Sequence, residues 1–133
     1  MKRFLLISIL LAVFAPARGQ SPQENTYDVF QPIARYLGQG DAEKLSAWFA
    51  DNLEIKVVSS TNDASKSQAR QILKSFFETY SPQSFTIRHK TGNDRMRLGV
   101  GTLSAGGDNF TVTILVSNKD RNYMIQQLKI EKR

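Results

Sequence analysis

The chain contains one side chain that exchanges a proton near neutral pH, His89, its only histidine. An imidazole could serve as a general base or as a pH switch. His89 follows Phe85 and Ile87 at alternate positions, and this period predicts that all three side chains face the interior of a sheet. A lone histidine on an apolar face is more often a hydrogen-bonded core residue than a catalyst. The structural role is therefore favoured for His89.

Aromatic residues form the second group with a possible function. Trp48, Phe49, Phe76, Phe77 and Tyr80 could line a pocket for an apolar ligand, although aromatic residues at helical spacing more often fill a core. Phe76 and Phe77 are adjacent on a predicted helix and so point about 100° apart, which lets one of them face a pocket. With two polar residues of the sheet, the predicted ligand-binding set is Trp48, Phe76, Phe77, Tyr80, His89 and Gln126.

Four basic residues alternate along two neighbouring predicted strands: Arg88, Lys90, Arg95 and Arg97. Like charges that face each other across a hairpin are destabilising unless an anionic partner neutralises them. Such a partner would be an acidic surface polymer, a phosphate head group or an acidic protein patch, although a solvated hairpin is favoured. Stacking aromatics are missing from the same face, which argues against nucleic acid as the partner.

Other kinds of site have no signal in the sequence. It has no nucleophile motif, no glycine-rich phosphate loop and no metal-ligand spacing, so we predict neither a cofactor nor a metal. It also has no cysteine. In an exported protein this excludes disulfides and a lipid-modified cysteine at the cleavage site.

Residues 1–19 have the layout of a secretory signal peptide, with two basic residues, an apolar run from Phe4 to Phe14 and a small-residue cleavage zone. Cleavage is expected after Ala17 or after Gly19. The apolar run is shorter than the roughly 20 residues that a membrane span requires. We therefore expect a soluble periplasmic or secreted protein with no membrane span. Removing residues 1–19 takes away three basic residues and no acid, which lowers the formal charge from +6 to +3.

Behind the signal peptide, residues 20–26 are predicted to be a flexible tether and residues 27–133 a single domain. A helix is predicted from Tyr27 to Leu37, with Pro32 either kinking it or beginning its regular part. Asp41 is expected to cap a second helix whose apolar stripe is Leu45, Trp48 and Phe49. The third helix spans residues 65–80 and begins with a capping box of Ser65 and Gln68.

The remaining elements are predicted strands. The first spans residues 53–59 and is followed by a polar loop at residues 61–64. After the third helix the period changes from 3.6 to 2, which predicts four further strands at residues 84–91, 95–104, 109–117 and 122–131.

The register of these strands depends on the length of their turns. Placing Lys90 opposite Arg95, and Ser104 opposite Asp108, gathers the apolar residues on one face together with His89. A two-residue turn of Gly106 and Gly107 would split the apolar residues between both faces, so the longer turn is favoured. In the last strand, Met124, Leu128 and Ile130 alternate against Tyr123 and Ile125. We favour the first set as inward, which also places Gln126 inward.

The segment GDAEKLSAWFADNLEI, at residues 40–55, resembles the second helix and first strand of the nuclear transport factor 2-like superfamily. Residues 67–77, 84–90, 101–103 and 125–130 resemble an exported bacterial family of unknown function within it. The resemblance implies an α+β fold, a cone-shaped roll of about three N-terminal helices packed on a curved, mainly antiparallel sheet. Enzymes of this superfamily place a carboxylate inside the cone. No inward strand residue is Asp or Glu on the predicted register, which argues against that activity.

Together these features predict a non-enzymatic exported module that binds a small apolar ligand inside the cone or a protein partner. A homodimer is expected through the open face of the sheet, with Leu103, Leu115 and Ile125 as its apolar contacts. The alternative is an isomerase- or dehydratase-like pocket enzyme that uses His89 as base and a tyrosine as donor. That alternative requires His89 to open into a cavity.

Overall fold

The computed structural model describes residues 28–133. The expected signal peptide at residues 1–19, the expected tether at residues 20–26 and Tyr27 lie outside the described residues. Within the described part, three helices and six strands follow one another as α1 (Phe30–Gln39), α2 (Ala42–Ser46), β1 (Phe49–Val57), β2 (Ser60–Ser65), α3 (Lys66–Thr79), β3 (Pro82–Gly92), β4 (Met96–Ala105), β5 (Asp108–Lys119) and β6 (Asn122–Lys132).

The first helix, α1, begins at Phe30, two residues before Pro32. Proline is tolerated there because the backbone N–H groups of a first turn have no partner inside the helix. Ile33 and Leu37 are buried one turn apart and attach the helix to the core. Gly40 ends it in the left-handed conformation, with φ of 70°, and its N–H bonds to a carbonyl of the last turn.

The second helix is shorter than expected. The Asp41 carboxylate accepts a hydrogen bond from the Lys44 N–H at 3.0 Å, as predicted for a cap. The helix ends at Ser46, however, and Phe49 is the first residue of β1 rather than part of a helical stripe. The reason is the sheet: the Ile125 N–H donates to the Trp48 carbonyl at 2.6 Å, which commits the chain to strand pairing from this point.

The third helix, α3, agrees with the expectation from its capping box. The Ser65 hydroxyl accepts from the Gln68 N–H, and the Gln68 side chain accepts from the Ser65 N–H in return. Ala69, Leu73, Phe76 and Phe77 form its buried side.

The strands form one sheet in the order β2-β1-β6-β5-β4-β3. The β1–β6 pair is parallel and the other neighbours are antiparallel. Strand β2 corrects the expectation of a polar loop at residues 61–64. It is an edge strand whose first four residues are exposed, so its side chains carry no apolar signal and only its backbone pairs with β1.

The predicted register of β4 and β5 is wrong by one residue. Ser104 pairs with Asn109 and Ala105 with Asp108, around a two-residue turn of Gly106 and Gly107. Both glycines have positive φ, 59° and 84°, as a tight hairpin turn with right-handed twist requires. The inward face therefore carries Gly99, Gly101, Leu103, Phe110, Val112, Ile114 and Val116.

Two glycines explain why the expected pattern failed. A Cβ at Gly99 would lie 2.8 Å from the Phe30 ring, and a Cβ at Gly101 would lie 2.6 Å from the Phe85 ring. The rings of α1 and β3 fill the space above β4, so these inward positions contain no apolar side chain of their own. The hydrophobic periodicity predicted Leu98 and Val100 as inward residues instead. Both lie on the open face of the sheet, the face that the helices do not cover, beside Leu115 and Thr113.

The shift also changes which residues the open face offers to a partner. Leu103 and Ile125, expected as dimer contacts, are fully buried on the inward side of the sheet. Leu115 lies on the open face and is half-buried, as expected. The helices cover the other face, where the core contains most of the large apolar side chains.

Candidate functional site

His89 lies on the open face of the sheet, contrary to the expectation that it faces the interior. An irregularity in pairing follows Ile87, after which His89 pairs with Val100. The side chain is exposed. The pocket enzyme proposed as the alternative needs His89 to open into a cavity between sheet and helices, and this placement does not provide one.

Gln126 also lies away from the interior. The β5–β6 pairing shifts between Leu115 and Val116, so that Ile125 takes the inward position. The Gln126 amide donates to the Ser117 hydroxyl at 2.9 Å on the open side. The prediction that Leu128 and Ile130 face inward is therefore correct. Before Gln126, where an extra residue forms a bulge in β6, the inward and outward positions are exchanged.

Three of the predicted ligand-binding aromatics belong to a packed cluster. Phe76 and Phe77 are buried, and the Phe76 ring centroid is 5.2 Å from that of Phe110. The half-buried Tyr80 packs against the same Phe110 ring at 5.1 Å. Edge-to-face geometry in both pairs indicates a core contact between α3 and β5.

The four predicted basic residues do not form a cross-strand stripe. Lys90 pairs with Gly99 and reaches the Asp28 carboxylate at 3.1 Å. Arg97 pairs with Gly92 and places its guanidinium 5.7 Å from the centre of the Tyr123 ring. Arg95 lies in the turn before β4, and Arg88 at the irregularity in β3. The like-charge pairs that motivated an anionic partner at this hairpin are therefore absent.

Phe76 and Tyr80 also border a concave surface of about 420 Å³ beside β2. Trp48 lies at a larger one. This surface is a cleft of about 910 Å³ at the end of the sheet where β5 turns into β6. Three half-buried aromatic side chains, Tyr36, Trp48 and Tyr123, pack against the core and line it together with Ala47. Its polar lining comes from Lys44, Arg121 and Asn122.

Local structure explains why these residues meet. The buried face of α1 is set by Ile33 and Leu37, which leaves Tyr36 at its flank near the helix end. Trp48 follows α2 and is held at β6 by the hydrogen bond from the Ile125 N–H to its carbonyl. Tyr123 lies two residues before Ile125 in β6 and therefore on the same, inward side of the strand, at the same end of the sheet.

The cleft is electropositive. Lys44 and Arg121 both line it, whereas none of its lining residues is Asp or Glu. Within residues 28–133 neither cation forms an ion pair. Arg121 and the preceding Asp120 adopt left-handed backbone conformations, with φ of 66° and 54°, and form the tight turn between β5 and β6.

The functional groups of the lining are three aromatic rings, two cations and one amide. The lining contains no histidine and no carboxylate, the usual bases for proton abstraction. Across the described residues, no group of three or more His, Cys, Asp or Glu is arranged to hold a metal ion. Aromatic faces with cations at the rim suit recognition of a ligand that has an apolar body and a polar end.

Sequence reasoning missed six of the seven lining residues, among them Tyr36, Lys44, Arg121 and Tyr123. Tyr123 was placed on the outward side because the bulge at Gln126 reverses the phase of β6 in mid-strand. Arg121 was missed because the predicted strands left a four-residue connection at residues 118–121. The structure shortens this connection to two residues, and both of their side chains are exposed at the end of the sheet.

With this geometry in place, similarity to known proteins identifies the family. Residues 30–131 match the family described as Domain of unknown function (DUF4783). The chain belongs to the DUF4783 family. The chain is similar to a DUF4783 protein from Bacteroides uniformis known from its crystal structure: the two are 22% identical, with a TM-score of 0.75 over 80% of this chain and 98% of that chain.

More distant structures have the same fold. A designed NTF2-like protein is 15% identical, with a TM-score of 0.62 over 77% of this chain and 92% of that one. A domain of unknown function with a cystatin-like fold from Nostoc punctiforme is 10% identical, with a TM-score of 0.65 over 86% and 80% of the two chains. These likenesses agree with the fold that the resemblance to the nuclear transport factor 2-like superfamily implies. They concern the fold alone.

No curated protein matches the chain. Among residues 28–133, no helix is long and apolar enough to cross a bilayer.

Proposed function

We propose that this DUF4783 protein is a non-catalytic binding module that holds a small ligand in the cleft beside Trp48. The observation that supports the proposal is the aromatic lining, since three half-buried rings remain open to one concave surface. A volume of about 910 Å³ falls within the range of small-molecule sites, about 300–1,000 Å³. The core side chains occupy the space between sheet and helices, so the proposed site is at the end of that space rather than inside it.

Export remains part of the proposal. The signal-peptide pattern at residues 1–19 supports it, and the module would then act in the periplasm or outside the cell. Secretion of the chain with cleavage after Ala17 or Gly19 is the expected outcome, measured by mass spectrometry of the mature N-terminus. Retention of residues 1–19 on the mature protein would contradict it.

The chain provides its own reporter for binding. Trp48 is the only tryptophan, so its fluorescence measures the cleft without background from elsewhere. We expect a saturable change in Trp48 emission when small molecules with an apolar body are added. Tyr123→Ala should weaken that binding because it removes one wall of the cleft.

A matched control separates the cleft from the open face of the sheet. Leu115→Ala removes an apolar side chain from the open face and should leave the affinity unchanged. If Tyr123→Ala and Leu115→Ala bind the same compounds with equal affinity, the ligand does not occupy this cleft.

A further inference from the structure

We propose that the cleft selects small organic anions, molecules with a compact apolar body and one negatively charged head group. This inference rests on the proposed function, because it names the ligand class of the same site. The aromatic lining accounts for the apolar body, and two cations on different elements account for the head group.

The two charged residues that line the cleft are both cations. Lys44 enters from α2 and Arg121 from the β5–β6 turn, and no acidic side chain lines the site. The nearest acids in sequence are Glu43, whose carboxylate approaches Arg70 at 3.9 Å, and Asp120 in the turn. Neither belongs to the lining. A negatively charged group placed between Lys44 and Arg121 would therefore meet attraction from both without a competing carboxylate.

The backbone at Arg121 supplies an independent observation. Its φ of 66° is a conformation that glycine or asparagine adopts readily and that costs an arginine stability. A tight hairpin turn with two positive φ values ordinarily has glycine at this second position. Residues with strained backbone conformations cluster at functional sites. Arg121 lines the cleft, so its strained backbone supports a role for this residue in binding the anion.

The apolar lining indicates the size of the ligand body. Tyr36, Trp48 and Tyr123 present ring surfaces, and Ala47 leaves space between them. Arg97 already lies over the Tyr123 ring, which fixes the orientation of that wall. The volume of the cleft accommodates a compound of drug size and is too small for a folded partner domain.

The experiment uses four probes with the same para-tert-butylphenyl body and different ends. These are para-tert-butylbenzoate, para-tert-butylphenyl phosphate, the neutral para-tert-butylbenzyl alcohol and the cationic para-tert-butylbenzylamine. Each is titrated into the purified protein and followed by Trp48 emission and by calorimetry. We expect the anions to bind on the order of tenfold more tightly than the alcohol, and the amine to bind most weakly. The ratio of the two anions identifies the head group that the site prefers.

Variants test which side chains produce the preference. Arg121→Gly suits the turn and removes one cation, and Lys44→Gln removes the other. Each should reduce the affinity for para-tert-butylbenzoate several-fold, and the two together should abolish its advantage over the alcohol. Lys119→Gln removes an equal charge one residue before the turn, outside the lining, and should leave that advantage intact. Raising the salt concentration should reduce the affinity advantage of the benzoate over the alcohol, because exposed charges are screened within a few ångströms at about 1 M.

The outcomes separate the two proposals. If the alcohol binds as tightly as the benzoate, anion selection is wrong while ligand binding in the cleft stands. If none of the four probes alters Trp48 emission or gives a binding heat, the small-molecule binding function itself is wrong. An acidic peptide titrated in the same way then tests a different occupant: if it binds while the four probes do not, the cleft holds a protein segment.

Discussion

Gly101 lies where the backbone of β4 approaches β3 closely. A Cβ there would be 2.5 Å from the Thr86 carbonyl oxygen and 2.6 Å from the Phe85 ring. The carbonyl belongs to the paired backbone of the neighbouring strand, so it cannot move without disturbing the sheet. The residue is glycine because of this close approach, and the same glycine removes the hydrophobic signal that would have fixed the register of β4.

Gly101→Ala tests this close approach. We expect the substitution to lower the free energy of unfolding by about 1–3 kcal/mol, since it overpacks the inner face of the sheet. Urea denaturation followed by circular dichroism measures the change. Thr102→Ala alters the next residue on the open face and should have a much smaller effect. Equal losses in the two variants would show that the inner face has room at Gly101.

Arg121 presents the opposite case, a residue whose removal should stabilise the protein. Arg121→Gly relieves a left-handed conformation at φ of 66° and should raise the free energy of unfolding by about 0.5–1 kcal/mol. The same variant is expected to lose affinity for anionic probes. Thermal and urea denaturation measure the first effect in the absence of ligand. A loss of stability would contradict the view that Arg121 is strained.

At the scale of elements, the parallel pair of β1 and β6 joins the first strand of the described chain to the last. The Lys56 ammonium and the Glu131 carboxylate meet across it at 2.8 Å. The hydrogen bond and the charge of Lys56 hold the pKa of Glu131 below its ordinary value of 4.5, with a smaller contribution from Lys129. Because the folded state favours the ionised carboxylate, this strand pair contributes stability that depends on pH.

The direction of the pH effect follows from that lowered pKa. Stability from Glu131 is fully present above 4.5 and is lost as the pH falls through the folded pKa, because the folded state must then take up a proton. Glu131→Gln should therefore be less stable than the wild type near neutral pH. The difference should vanish well below 4.5, as measured by urea denaturation across pH.

Asp51→Asn is the control for this prediction, because Asp51 lies on the same strand as Lys56 and forms no ion pair within residues 28–133. It should not reproduce the pH-dependent difference. If Glu131→Gln has the same stability relative to wild type at every pH, the ion pair contributes nothing to the strand pair.

On the scale of the whole molecule, the two faces of the sheet differ in chemistry. The helices cover one face, and the other divides into a charged part near β1 and an apolar part on β4 and β5. Met96 lies in the apolar part and, at 40% exposure, is the most exposed large hydrophobic residue among the described residues. Leu98, Val100 and Leu115 extend the same patch.

The homodimer expected from the sequence remains a prediction, and its contact surface moves to this patch. We expect light scattering at high micromolar concentration to give twice the mass of the chain. Met96→Lys combined with Val100→Lys should return it to a single mass, since both substitutions place charge on the open face without entering the core. A single mass for the wild-type protein would contradict the prediction.

Many of the elements could be predicted from local patterns. The capping box of Ser65 and Gln68 marked the start of α3, and the change of period after Pro82 indicated the four later strands. Helix α2 and strand β2 could not be delimited in this way. Their boundaries depend on backbone hydrogen bonds to β6 and β1, which leave no periodic trace in side chains.

The sequence by itself determined the capped helices and most of the strands, because these follow from contacts between residues close in the chain. Tertiary structure alone decided which face β4 turns inward and where the inward face changes along β3 and β6. The rings of Phe30 and Phe85 take the place of side chains at Gly99 and Gly101, and bulges near His89 and Gln126 reverse the local phase. Tertiary packing thereby moved the candidate site from His89 to the cleft formed by Trp48, Tyr123 and Arg121, residues whose proximity depends on long-range contacts.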